Sequence, residues 1–131
     1  MSKIASSSRK LLFTDAELEL MTILWRLGEG NVNDVLAQMA TERPPAYTTV
    51  STILRILKAK GVVRARKEGR GHVYVPNVSK QEYEGRALDH MIGRVFDGAP
   101  VALIRRLVES DCLSLQERRA IRALLDRNRK R

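Results

Sequence analysis

Thr48, Thr49, Ser51, Thr52, Arg55 and Lys58 lie within eleven residues, interleaved with Val50, Ile53, Leu54 and Leu57. On a helix turning about 100° per residue, the four apolar residues cluster within about 60° of Val50. Thr48, Thr52, Arg55 and Ala59 fall on the opposite side, flanked by Thr49 and Ser51. The outward face therefore carries short hydroxyls and one guanidinium. Such groups can bond base edges or phosphates, a threonine methyl can touch a thymine methyl, and an arginine can fork onto guanine. Thr48 has two readings of equal weight, an N-cap and a DNA contact, which can coexist.

Charge decides between a merely polar surface and a polyanion-binding one. The chain of 131 residues has net charge +9. Between Arg43 and His72 there are eight cations and one acid, a net +7, whereas the rest of the chain contributes +2. An excess concentrated in one segment is the footprint of a backbone-tracking element. Besides the helix it draws on Arg64, Arg66, Lys67, Arg70 and His72, and Tyr47 flanks the helix start.

The elements that must position these groups can be read from caps and periodicity. Thr14-Asp-Ala-Glu17 is a capping box that opens a helix with Leu18, Met21, Leu24 and Trp25 on one face, and Gly28 can end it. Asn31 suits the N-cap of a second helix, whose core face is Val32, Val35, Leu36 and Met39, before Pro44-Pro45 forces a break. The third helix is expected over roughly Thr49–Lys60, closed by Gly61. Val62–Lys67 and His72–Val75 alternate around the glycines of the 68–71 turn, as a β-hairpin does. Three helices and a hairpin with short loops are the order of a winged helix-turn-helix.

The rest of the chain, 79–131, reads as three amphipathic helices, two of them opened by the boxes Ser79–Glu82 and Ser114–Glu117, the middle one starting at Pro100. They offer a thin core for so much apolar surface, which favours dimerisation. Tyr83, Leu88, Met91, Ile92, Val95, Phe96, Ile104, Leu107 and Leu124 are the residues expected at that interface. The expectation is a mainly α chain with one small β-hairpin, divided into an N-terminal disordered extension (1–10), a winged-helix DNA-binding domain (11–78) and a helical dimerisation region (79–131).

The sequence also excludes chemistry. His72, His90 and Cys112 are too few and too scattered for a closed zinc site, so no metal or other cofactor is expected. His72 belongs on the wing, and His90 on a helix surface or interface. Cys112, the single cysteine, rules out an internal disulfide, and a small buried hydrophobe outweighs a redox switch. No nucleophile, base and orienting group can be assembled, so the chain is not expected to be an enzyme. No apolar run reaches the ~20 residues needed to cross a bilayer. The first ten residues lack an apolar core for secretion, and the expected location is cytoplasmic.

Leu18-Glu-Leu-Met-Thr-Ile-Leu-Trp25, Ala46-Tyr-Thr-Thr-Val50, the Leu57…Lys60-Gly-Val-Val63 exit and Tyr74-Val-Pro76 resemble the penicillinase-repressor (BlaI/MecI/CopY) family of winged-helix regulators. The resemblance runs from about Thr14 to Leu125. It implies a homodimer that represses from palindromic operators in double-stranded DNA, often those of β-lactam resistance genes. It also implies release after a membrane sensor protease triggers cleavage in the C-terminal part. Staphylococcal relatives are cut at an Asn-Phe bond, and the corresponding place here is Arg106-Leu107. The third helix has Ile56 where many relatives carry a second arginine. The paired Cys-x-Cys motifs of the copper-responsive branch are absent, which excludes copper sensing. Two alternatives remain beside this reading: a ligand-responsive winged-helix regulator, and a winged-helix module that binds an acidic protein.

Overall fold

The computed structural model describes residues 12–39 and 41–129. The expected extension Met1–Lys10 lies outside the described residues. Eight elements follow in order: α1 (Asp15–Leu27), α2 (Val32–Ala37), α3 (Tyr47–Ala59), β1 (Val63–Glu68), β2 (Gly71–Pro76), α4 (Lys80–Arg94), α5 (Pro100–Glu109) and α6 (Leu115–Arg127). The chain divides into two compact units, with the boundary between His90 and Met91, inside α4.

Local chemistry explains most element ends. At the start of α1, Thr14 Oγ1 accepts the Glu17 amide at 3.1 Å while Glu17 Oε1 accepts the Thr14 amide at 2.9 Å. Asn31 and Asp34 exchange the same pair of bonds at α2, Ser79 and Glu82 at α4, and Ser114 and Glu117 at α6. Each reciprocal pair satisfies two amides that the first helical turn would otherwise leave open. The end of α3 is a Schellman turn: Val62 N–H donates to Leu57 O and Gly61 N–H to Lys58 O, with Gly61 at φ +79°. A side chain at that backbone angle would be strained, so Gly61 fixes where the helix stops and β1 begins.

The core of the first unit joins α1, α2, α3 and the hairpin. Leu20, Met21, Leu24, Val35, Val50, Leu54, Leu57, Val62 and Val63 are all fully buried. Val50, Leu54 and Leu57 are the inward stripe expected of the third helix, and Ile53 packs half-buried beside them. Burying each such side chain is worth about 1.5–3 kcal/mol. That stripe outweighs the few tenths of a kcal/mol per residue by which Thr and Val disfavour a helix.

β1 and β2 pair antiparallel, with Lys67 opposite His72 and Arg66 opposite Val73. A further bridge ties Gly30, in the turn between α1 and α2, to Tyr74: Tyr74 N–H donates to Gly30 O at 2.8 Å, and Gly30 N–H to Tyr74 O at 3.0 Å. The start of α4 is fastened to the same unit. Tyr83 stacks on Phe13 with ring centroids 4.4 Å apart, and its hydroxyl accepts the Phe13 amide. Trp25 Nε1–H donates to Val78 O at 2.8 Å. In the second unit, α5 starts with Pro100 in its first turn and without a side-chain cap. Asp97 and Asp111 take left-handed backbone angles at the turns before α5 and α6.

Candidate nucleic-acid interface

Helix α3 starts two residues earlier than its periodicity suggests, at Tyr47. Its N-cap is Ala46, which has no side chain to accept a bond from the first turn. The capping reading of Thr48 is thereby overturned. Thr48 lies in the first turn, exposed, with its hydroxyl committed to no cap. Where a strong cap is missing, the hydroxyls of Thr48, Thr49 and Thr52 remain available to an external partner. All three are exposed, as are Arg55 and Lys58, and Ser51 is half-buried. Arg55 Nη2 approaches Thr52 Oγ1 at 3.5 Å, which keeps the guanidinium along the outward face.

Beside this helix lies a cleft of about 220 Å³, lined among others by Tyr47 and Ser51 of α3, by Arg70 and His72 of the hairpin tip, and by Asn31 and Asn33. Three elements thus converge on one polar concavity. Among the described residues, no carboxylate lines it. Tyr47, Ser51, Arg70 and His72 are expected in the interface from their sequence pattern; Asn31 and Asn33 are not. Asn31 was legible only as a cap, and Asn33 carries no local signal. It joins the cleft because the Gly30–Tyr74 bridge draws the start of α2 against the hairpin.

The hairpin sorts its cations by face. Cross-strand partners share a face, and alternate residues along a strand oppose one another. Lys67 and His72 therefore share the Ala65 and Tyr74 side, while Arg64, Arg66 and Glu68 share the other. Arg64 Nη1 donates to Asn77 Oδ1 at 3.0 Å. Arg66 donates to both carboxylate oxygens of Glu29, at 3.1 and 2.9 Å, and to Glu68 at 3.1 Å. The Arg66 hydrogen bonds hold the Glu29 carboxyl below the usual carboxylate range, and those to Glu29 and Glu68 push the Arg66 guanidinium above its ordinary value.

Lys60, also counted in the positive segment, sits on Glu17 at 2.8 Å. Two of the eight cations are therefore neutralised by acids, Glu17 and Glu29, from outside the segment. Among the described residues, no carboxylate lies within ion-pair distance of Arg55, Lys58, Lys67 or Arg70. Ile56 is 43% exposed on α3.

The residues expected at a dimer interface separate into two groups. Leu88, Met91, Val95, Ile104, Leu107 and Leu124 are exposed, with Ile92 and Phe96 half-buried. Tyr83 differs, because its ring is stacked on Phe13 within the first unit. Arg106 and Leu107 lie inside α5 and are exposed. Cys112 is exposed rather than buried as expected, in the turn between α5 and α6, where the Ser110 hydroxyl donates to its sulfur at 3.0 Å. Ser110 and Asp111 beside it are exposed as well, so the turn stands in solvent and not in a core. His90 is half-buried on α4. Among the described residues, no three His, Cys, Asp or Glu side chains are grouped so as to hold a metal ion, and no helix is long and apolar enough to cross a membrane.

A family model described as penicillinase repressor matches residues 13–127. The penicillinase repressor of Bacillus licheniformis is 29% identical over 90% of this chain and 92% of its own. The methicillin resistance regulatory protein MecI of Staphylococcus aureus strain N315 is 23% identical over 87% of this chain and 93% of its own. A solution structure of monomeric Bacillus licheniformis BlaI in complex with the blaP half-operator is 35% identical, covers 55% of this chain and 88% of its own, and has a TM-score of 0.46. The match over 13–127 coincides with the whole succession of winged module and C-terminal helices, and the chain belongs to the penicillinase repressor family of winged-helix DNA-binding transcriptional repressors, which are not enzymes.

Proposed function

We propose that this protein represses transcription as a homodimer on a palindromic operator in double-stranded DNA. In this reading α3 enters the major groove with Thr48, Thr49, Ser51, Thr52 and Arg55 toward base edges, Lys58 near the backbone, and Lys67, Arg70 and His72 on the wing along the phosphates. The observation that carries the reading is the carboxylate-free cleft, where α3, the wing tip and the start of α2 meet beside exposed, unpaired cations. The segment 79–131, apart from Tyr83, supplies the dimer contact. It is supported by α5 and α6, which bury no side chain and expose Val101, Ile104, Leu107, Val108, Leu115, Leu124 and Leu125. An apolar surface of that extent favours a partner.

Release follows from cleavage within the C-terminal region by a sensor protease, with β-lactam as the signal that the family resemblance suggests. A cut at Arg106-Leu107 would divide α5 and with it the proposed dimer surface. Mobility shift on the protein's own upstream region tests the DNA reading. A sequence-selective complex that weakens sharply when residues after His90 are removed is expected, a cut that keeps Tyr83 on Phe13, and salt-sensitive binding without sequence preference overturns it. Immunoblots after β-lactam exposure test the release step, with a shortened chain expected.

A further inference from the structure

Arg66 is basic, exposed and on the wing, so the simplest assignment makes it a phosphate contact. Its surroundings oppose that. Glu29 takes both terminal nitrogens in a bidentate pair, and Glu68 takes one of them a second time. With Arg64 on the same face and acting on Glu29, two cations meet two carboxylates, a cluster without net charge that gives a phosphate little attraction. The pair also spans the hairpin. Arg66 stands on β1, while Glu29 precedes Gly30, whose bridge lies on the far side of β2 at Tyr74. Val73, opposite Arg66 in register, is 8% exposed between them.

We propose that Arg66 is a positioning residue that clamps the wing to the α1–α2 turn through Glu29, leaving phosphate contact to Lys67, Arg70 and His72. The proposal rests on the DNA-binding reading for its consequence, though not for the clamp itself. A six-residue strand is about 20 Å long, so a tilt of about 10° at its base would displace the tip by roughly 3 Å. Hydrogen bonds tolerate only a few tenths of an ångström. Arg66 lies in the outer half of β1, two residues from its end at Glu68, so a clamp there resists such a tilt and decides whether Arg70 and His72 meet the backbone when α3 is seated.

The decisive variant is Glu29→Gln, since the two assignments give it opposite signs. It adds one positive charge and leaves Arg66 with Glu68 alone. A positioning role makes operator binding weaker by about fivefold, with the salt slope unchanged. A phosphate-contact role makes binding tighter and steepens the slope by about 1. Arg66→Gln should reproduce the loss without lowering the slope, and the charge-swapped Glu29→Arg, Arg66→Glu double variant should recover most of it. Thermal unfolding separates a clamp effect from general instability, because Glu29 is a half-exposed surface residue whose change should leave the melting temperature unaltered.

Binding is read on a duplex selected from a random-sequence pool, alongside amide exchange at Gly30 and Tyr74 in the free protein. Faster exchange of both amides in Glu29→Gln is expected. Tighter or unchanged DNA binding, or unchanged exchange, overturns the proposal. Should the wild-type protein select no duplex, the DNA reading itself fails, and the exchange measurement still decides the clamp.

Discussion

The carboxylate of Glu17 holds the ammonium of Lys60 at 2.8 and 2.9 Å, joining the first turn of α1 to the C-cap of α3. The same Glu17 oxygen that accepts the Thr14 amide accepts one of these bonds, so a helix cap and a tertiary ion pair share one group. Both charges also suit their helix ends, an acid near an N-terminus and a cation near a C-terminus. The end of α3 is thus anchored to α1, while its start is capped by no side chain.

Glu17 is 5% exposed, so removing its partner leaves a nearly buried carboxylate uncompensated. Lys60→Met should destabilise the first unit by about 2 kcal/mol in urea unfolding. Burial by itself would raise the Glu17 carboxyl. The Lys60 hydrogen bonds and attraction, with the Thr14 bonds, outweigh that, and its pKa lies below the ordinary carboxylate value. The unfolded chain then binds the proton more readily. The contribution to stability is present above about pH 4.3 and is lost as pH falls through the lower folded value. Glu17→Gln should flatten this part of the acid limb in unfolding measured from pH 6 to pH 2.

Arg55→Ala should weaken operator binding more than binding to unrelated duplex, since Arg55 stands on the exposed face of α3. Lys67→Ala and Arg70→Ala should act on both duplexes alike, each lowering the slope of log affinity against log salt by about 1. Fluorescence anisotropy across a salt series separates the two behaviours. Equal losses on operator and unrelated DNA for Arg55→Ala would remove it from the base-reading set.

What could be read from the sequence divides by distance along the chain. The boxes at Thr14, Ser79 and Ser114 act over three residues, so the local pattern was sufficient to find them. The inward stripe Val50, Leu54 and Leu57 was legible for the same reason, because periodicity is local. Pairings across the fold were not. Glu17 and Lys60 are 43 residues apart, and Glu29 and Arg66 are 37 apart. A charge count taken along the sequence therefore gave the segment 43–72 two more free cations than it presents. Thr48 misled in the other direction: its hydroxyl suits a cap, but Ala46 already occupies the extended position before the helix.

Leu124 and Ile104 are each 48% exposed on helices that bury none of their side chains. With the C-terminal helices as the dimer contact, Leu124→Asp should shift the molecular mass in light scattering from two chains toward one. A carboxylate trapped at an apolar interface must be desolvated or neutralised, at a cost of several kcal/mol. Operator affinity should fall with the dimer, because two half-sites are then bound independently.

Tyr83 should behave in the opposite way, although it lies in the same amphipathic pattern. Its ring stacks on Phe13 at 4.4 Å and 8°, with Trp25 6.0 Å away, and its hydroxyl accepts the Phe13 amide. Tyr83→Ala removes an aromatic stack and leaves that amide without its partner. It should destabilise the first unit by about 2 kcal/mol while the mass in light scattering stays that of the wild type. Tyr83→Phe keeps the stack and loses only the hydroxyl, so it should cost about 1 kcal/mol. A loss of dimer in Tyr83→Ala with unfolding unchanged would return the residue to the interface group.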